Sequence, residues 1–140
     1  MSYLLDTCVI SELTKPRPEP RVVEWVGRHN EADLCLSVIT IGEIRKGIAR
    51  LPDSAKRRDL DEWLNQDLRK RFHGRILRID VDTAETWGVL SARAEKEGRP
   101  VPVLDGLIAA TAHAAHLTIV TRNSTHMAAT GVEIVDPWAD

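Results

Sequence analysis

Three carboxylates, Asp6, Glu43 and Asp105, stand where apolar runs give way to other sequence. Asp6 closes the run Tyr3-Leu4-Leu5. Glu43 lies a few residues beyond Leu34-Cys35-Leu36-Ser37-Val38. Asp105 heads the small, apolar stretch Gly106 to Ala112. A carboxylate beside a core is costly unless it is paired, hydrogen-bonded or bound to a metal. Each of the three has an ordinary structural use. Asp6 before Thr7 and Asp105 before Gly106 read as helix N-caps, and Thr40-x-x-Glu43 fits a capping box with Glu43 in the first helical turn. Asp82-x-x-Glu85 is a further pattern of this kind and is read as a cap alone. Capping does not remove the repulsion expected if Asp6, Glu43 and Asp105 share one edge of a sheet. Crowded there without a cation, at least one of them would have its pKa strongly raised.

The donor types select the cation. They are all oxygen, with no Cys or His at zinc spacing, so a hard ion such as Mg2+ or Mn2+ fits. His113 and His116 could share a helix face, but no third ligand accompanies them. Thr121-Arg122-Asn123 adds further polar groups at the end of an apolar run. Asn123 can offer a carbonyl oxygen or an amide donor, and the Thr121 hydroxyl can serve a carboxylate or a water.

The elements that must position these groups are legible as period changes. Short runs of Leu, Ile and Val predict strands at Tyr3–Leu5, Leu34–Val38, Ile76–Ile79, Leu117–Thr121 and Val132–Val135. Helical spacing links Val22, Val23 and Val26; Leu60, Trp63, Leu64 and Leu68; and Ala84, Trp87, Val89, Leu90 and Ala94, the last helix stopping at Gly98. KPRPEP, Lys15 to Pro20, reads as a turn between helices. The Ala-rich helix from Ala109 to Ala115 is expected to be the most buried, because small side chains let a helix approach a sheet closely. Strands alternating with helices predict an α/β layered domain, and connections too long for hairpins make its sheet mostly parallel. The acids then fall at the carboxyl edge, where ligands bind in open α/β folds.

The 140 residues fit one domain, and 43% hydrophobic with 29% charged residues is globular composition rather than that of a disordered chain. The net charge of −2 excludes a protein that coats nucleic acid through bulk charge. Basic residues are nevertheless grouped at Arg45-Lys46, Lys56 to Arg58 and Arg69 to Arg71; they read as solvated helix faces or as a basic lobe facing the acids. The start of the chain reads as a first strand rather than a signal peptide, and no run reaches membrane-spanning length. Cys8 and Cys35 are expected to be buried free thiols.

Five pieces in order, YLLDTCVISEL, LSVITIGEIRKGI, PVLDGLIAATA, LTIVTRN and the closing Asp136-Pro137-Trp138, resemble the PIN-domain proteins of the VapC/FitB type. These are the toxin halves of bacterial toxin–antitoxin pairs. The resemblance covers essentially the whole length. It implies a single PIN domain over residues 1–140: a three-layer α/β/α domain with a mostly parallel sheet of about five strands. It implies an acidic pocket for Mg2+ or Mn2+, endonucleolytic cleavage of RNA, a homodimer and a cytoplasmic location. It also implies a cognate antitoxin that occupies the pocket and, with the toxin, binds operator DNA.

By position, Asp6, Glu43 and Asp105 match the family's three core acids. Asp6 and Asp105 would be direct ligands, and Glu43 a ligand through water or a base that orients the nucleophile. Asn123 falls where many members have a fourth acid. Together with Thr121 it would hold waters or the scissile phosphate, and Thr7 is a supporting residue beside Asp6. Ser124-Thr125-His126-Met127 stands where many members have an acid followed by an aromatic. These departures leave one metal or two open. They also leave open a non-catalytic module that keeps the pocket for a partner's Arg. A Mg-dependent phosphoryl-transfer domain fits less well: no Lys follows Lys96, and Cys8 stands where such phosphatases place a second Asp.

Overall fold

The computed structural model describes residues 1–139. Strand β1 (Tyr3–Leu5) leads into α1 (Thr7–Leu13) and α2 (Pro20–Arg28). Strand β2 (Leu34–Ser37) follows, then α3 (Val38–Ala49), α4 (Ala55–Glu62) and α5 (Arg69–Arg71), with a π-helical stretch over Trp63–Leu68 between the last two. Next come β3 (Ile76–Leu77), α6 (Val81–Lys96), α7 (Val103–Ala114), β4 (Thr118–Val120), α8 (Ser124–Ala128) and β5 (Ile134–Val135). The strands form one sheet in the order β3-β2-β1-β4-β5. Every pairing is parallel, as the long connections require.

All five expected strands are present, mostly shorter than their apolar runs. The run at Leu34 ends at Ser37 because Ser37 caps α3, its hydroxyl accepting from the Ile39 N–H. The run at Ile76 stops after two residues, since Asp80 takes over as N-cap of α6 and accepts from the Thr83 N–H at 2.8 Å. Asp80, not Asp82, is therefore the cap there. KPRPEP joins α1 to α2 as expected, with Pro20 at the first position of α2, where its missing N–H costs nothing.

Two apolar cores lie on the sheet. One gathers Leu5, Val9, Ile10, Val22, Leu34, Leu36, Leu64, Phe72 and Val120. The other packs Leu4, Ile119 and Met127 against Ile108, Ala109 and Ala112 of α7. Helix α7 is buried from Ile108 through Ala112, and its alanines allow that close approach, while Ala114 and Ala115 reach solvent. Helical spacing overreached at Val23 and Val89, which are 43% and 66% exposed. Cys8 and Cys35 are free but half-buried rather than fully enclosed. No described helix is long and apolar enough to cross a membrane.

Candidate active site

The site grows from the register of β1 and β4. Leu4 pairs with Ile119 and Leu5 with Val120, so the next residues along, Asp6 and Thr121, leave the sheet side by side. The Asp6 N–H donates to the Val120 carbonyl at 2.9 Å and continues the ladder past the strand. The Thr121 hydroxyl then donates to Asp6 Oδ2 at 2.7 Å, with both residues buried. Asp6 Oδ1 accepts from the Thr7 N–H at 2.8 Å, which makes Asp6 the N-cap of α1 as well.

Thr7 extends the site toward β2. Its Oγ1 lies 2.6 Å from Glu43 Oε1 and 3.0 Å from the hydroxyl oxygen of buried Thr40. The capping box expected of Thr40 and Glu43 is not formed. Helix α3 begins at Val38, which puts Thr40 inside the helix and Glu43 in its second turn. Ser37 does the capping, and Glu43 is left to reach across to α1.

Asp105 arrives from the opposite direction. Helix α7 ends just before β4 begins, so its first turn lies back at the carboxyl edge of the sheet. Asp105 sits in that first turn, with Pro102 in the N-cap position and no side-chain cap bond. It is therefore not a cap. Its carboxylate is mostly shielded and stands 3.5 Å from the His126 Nδ1 on α8. Burial pushes the Asp6 carboxyl above the usual carboxylate range, the Thr121 and Thr7 donors oppose the rise, and the charge of Asp105 adds to it. A shielded acid pressed by a second acid is the condition a cation relieves.

The donors fit a hard divalent ion held lightly. Among the described residues no three Asp, Glu, His or Cys side chains are close enough to hold a metal directly. Asp6 and Asp105 interact electrostatically, whereas Glu43 is taken up by Thr7. Two carboxylates with water filling the remaining positions is the usual binding mode of Mg2+. Asn123 is exposed; its N–H donates to Thr121 Oγ1 at 2.9 Å, and its side chain caps nothing. Beside Glu43 lies a groove of about 240 Å³ lined in part by Thr7, Ser11, Ile44, Lys56 and Trp63.

A five-stranded parallel sheet with acids at its carboxyl edge narrows the families available, and comparison with known proteins decides among them. The PIN domain family model matches residues 3–131. The chain belongs to the PIN-domain family. Its near-full-length relatives place this PIN domain among toxins of the FitB/VapC type. It is 39% identical to Toxin FitB of Neisseria gonorrhoeae, over 98% of this chain and 99% of that one. It is 36% identical to a VapC ribonuclease of Sinorhizobium fredii, over 96% of each chain. The crystal structure of FitAcB from Neisseria gonorrhoeae superposes with a TM-score of 0.93 at 39% identity, covering 97% of this PIN domain and 98% of that chain.

Three neighbours of the acids escaped the sequence reading. Thr40 contacts Thr7; the Cys8 Sγ lies 3.8 Å from Asp6 Oδ2 and 3.6 Å from Thr121 Oγ1; and His126 faces Asp105. Spacing does not mark Cys8, because residues two apart on a helix do not ordinarily share a face. Nothing local marks His126, because its position depends on how α8 folds back.

Proposed function

We propose that this PIN domain is a divalent-metal-dependent endoribonuclease, the toxin of a toxin–antitoxin pair, and that residues 1–140 form the single domain that carries it. The observation that supports this most directly is the setting of Asp6: a buried carboxylate held by two fixed donors, its pKa raised chiefly by burial and further by the charge of Asp105. Asp6 and Asp105 would hold Mg2+ or Mn2+. When bound, the ion supplies Lewis acidity, offsetting charge on the phosphate oxygens and making a water easier to deprotonate. Glu43, steadied by Thr7, orients that water and takes up its proton. Asn123, exposed at the rim, donates to the scissile phosphate. Thr121 fixes the orientation of Asp6.

The partner readings follow from the relatives. FitAB has been solved bound to a DNA fragment, and VapBC from Salmonella typhimurium likewise with DNA. By analogy this toxin takes a cognate antitoxin and reaches operator DNA only within that complex, in the cytoplasm. A homodimer is supported by Val81, Val89, Val103 and Leu104, large apolar side chains left exposed on α6 and the start of α7.

An RNA cleavage assay with EDTA and Mn2+ controls tests the activity. Cleavage that EDTA abolishes and that Asp6→Asn and Asp105→Asn both lose, by a factor of about 10³ or more with the fold intact, is the expected result. Full activity in either variant removes the assignment. A silent wild type under every metal, still binding its antitoxin, favours a non-catalytic module.

A further inference from the structure

We propose that Arg122, laid over the ring of Trp138 beside Asp6, binds a phosphate of the RNA strand next to the scissile one. The proposal rests on the nuclease reading above and adds a substrate-binding residue to it, together with a use for the closing Asp136-Pro137-Trp138.

Asp6, Glu43 and Asp105 repel a polyanion, and one divalent cation leaves them a net negative charge. A fixed positive group at the rim offsets that remainder. Arg122 stands at the rim. It follows Thr121, whose hydroxyl donates to Asp6, and precedes Asn123. Its own N–H donates to the Cys8 Sγ at 3.4 Å, and that sulfur lies 3.8 Å from Asp6 Oδ2. The backbone of Arg122 is thus fixed one side chain away from the buried carboxylate. The side chain is held as well. Its guanidinium carbon lies 5.5 Å from the centroid of the Trp138 ring, within the reach of a cation–π contact. Trp138 is 9% exposed and belongs to the core that contains Val9 and Ile10. Its N–H donates to Asp136 Oδ1 at 2.9 Å, and its indole bonds to the Glu12 carboxylate. The platform is therefore rigid, whereas Arg122 is exposed. Among the described residues no acid pairs with its guanidinium, so the N–H donors remain for a ligand. A planar fork of donors matches phosphate oxygens, and stacking on an aromatic face leaves the donors at its edge free for them.

The test uses the full chain carrying Asp105→Asn, in which cleavage is expected to be lost, and a mixed-sequence single-stranded RNA as the probe. Fluorescence anisotropy over a range of salt concentrations gives the affinity and its salt slope. Adding Arg122→Ala is expected to weaken binding about five- to tenfold whatever the sequence. It should also flatten log Kd against log salt by about 0.7, the share of one phosphate contact to a single strand. Arg122→Lys keeps the charge and should keep the slope. In the chain with Asp105 intact, Arg122→Ala should raise KM by a similar factor with kcat within about twofold. Unchanged RNA affinity and slope in Arg122→Ala overturn the proposal and leave the nuclease reading standing; if antitoxin binding weakens instead, the residue serves that partner. A loss confined to some RNA sequences overturns it too, because a phosphate contact carries no sequence information. A wild type that neither binds nor cuts RNA overturns the nuclease reading and this inference with it.

Discussion

The hydroxyl of Thr7 holds Glu43, with Thr7 Oγ1 2.6 Å from Glu43 Oε1. The residue that follows the buried acid thus fixes the acid of the next strand unit. Thr7→Val keeps the shape and removes the donor. We expect RNA cleavage to fall about tenfold and stability by about 1 kcal/mol, the net worth of a half-buried hydrogen bond. Glu43→Gln should cost more, about 10²-fold in turnover, consistent with loss of a general base. Single-turnover cleavage and urea unfolding of both variants check the pair.

Asp6 gives the apo protein a pH dependence with a definite sign. Its folded-state pKa is raised, chiefly by burial. Below the unfolded carboxylate range, near pH 4, both states are protonated and Asp6 costs nothing. As the pH climbs from there through the higher folded value, the unfolded state loses its proton first and stability is lost. Asp6→Asn should therefore be more stable than wild type at pH 7 to 8 in EDTA, with the gap closing toward pH 4. Thermal melting across that range measures it, and a gap that widens on acidification would contradict the assignment.

Metal should reverse that penalty. An ion binding only the folded state at 100 times its Kd adds about 2.7 kcal/mol. Wild type should melt several degrees higher in millimolar Mn2+, whereas Asp6→Asn and Asp105→Asn should not respond.

Thr121→Val removes the donor to Asp6 Oδ2 while leaving the backbone register alone. The Asp6 carboxyl should titrate higher still, because that hydrogen bond favours the charged form. The fold should lose about 1 to 3 kcal/mol for a buried carboxylate oxygen left with only the weak Cys8 thiol as donor. Carbon-13 titration of the Asp6 carboxyl and denaturant unfolding report the two effects separately.

Gly106 lets α6 lie against α7. A Cβ added there would stand 3.0 Å from Trp87 Nε1 and 3.1 Å from its Cδ1. Gly106→Ala is expected to destabilise by about 1 to 3 kcal/mol through displacement of that ring. It should also shift Asp105, the adjacent residue, so metal affinity falls together with stability. Intrinsic tryptophan fluorescence and Mn2+ titration follow both.

Much of this arrangement is legible in the sequence, for a definite reason. The five strands are apolar runs bounded by helical spacing, and parallel order follows from the length of the connections. The acids Asp6 and Asp105 stand at period changes, which are also the carboxyl edge. What could not be read is where one period yields to the next. Ser37 begins α3 earlier than the run Leu34–Val38 suggests, and that shift moves Glu43 from a capping box to a reach across to Thr7. Asp80 precedes the pattern at Asp82 for the same reason. His126 was invisible because its distance to Asp105 is set by packing of Met127 and not by spacing along the chain.

The pairing of Leu5 with Val120 joins segments that lie far apart in the order of synthesis. A nascent chain that has not yet released β4 from the ribosome has no Thr121 to steady Asp6 and no Asp105 beside it. On the reading proposed above, the acidic centre therefore assembles only after β4 has been made and has emerged.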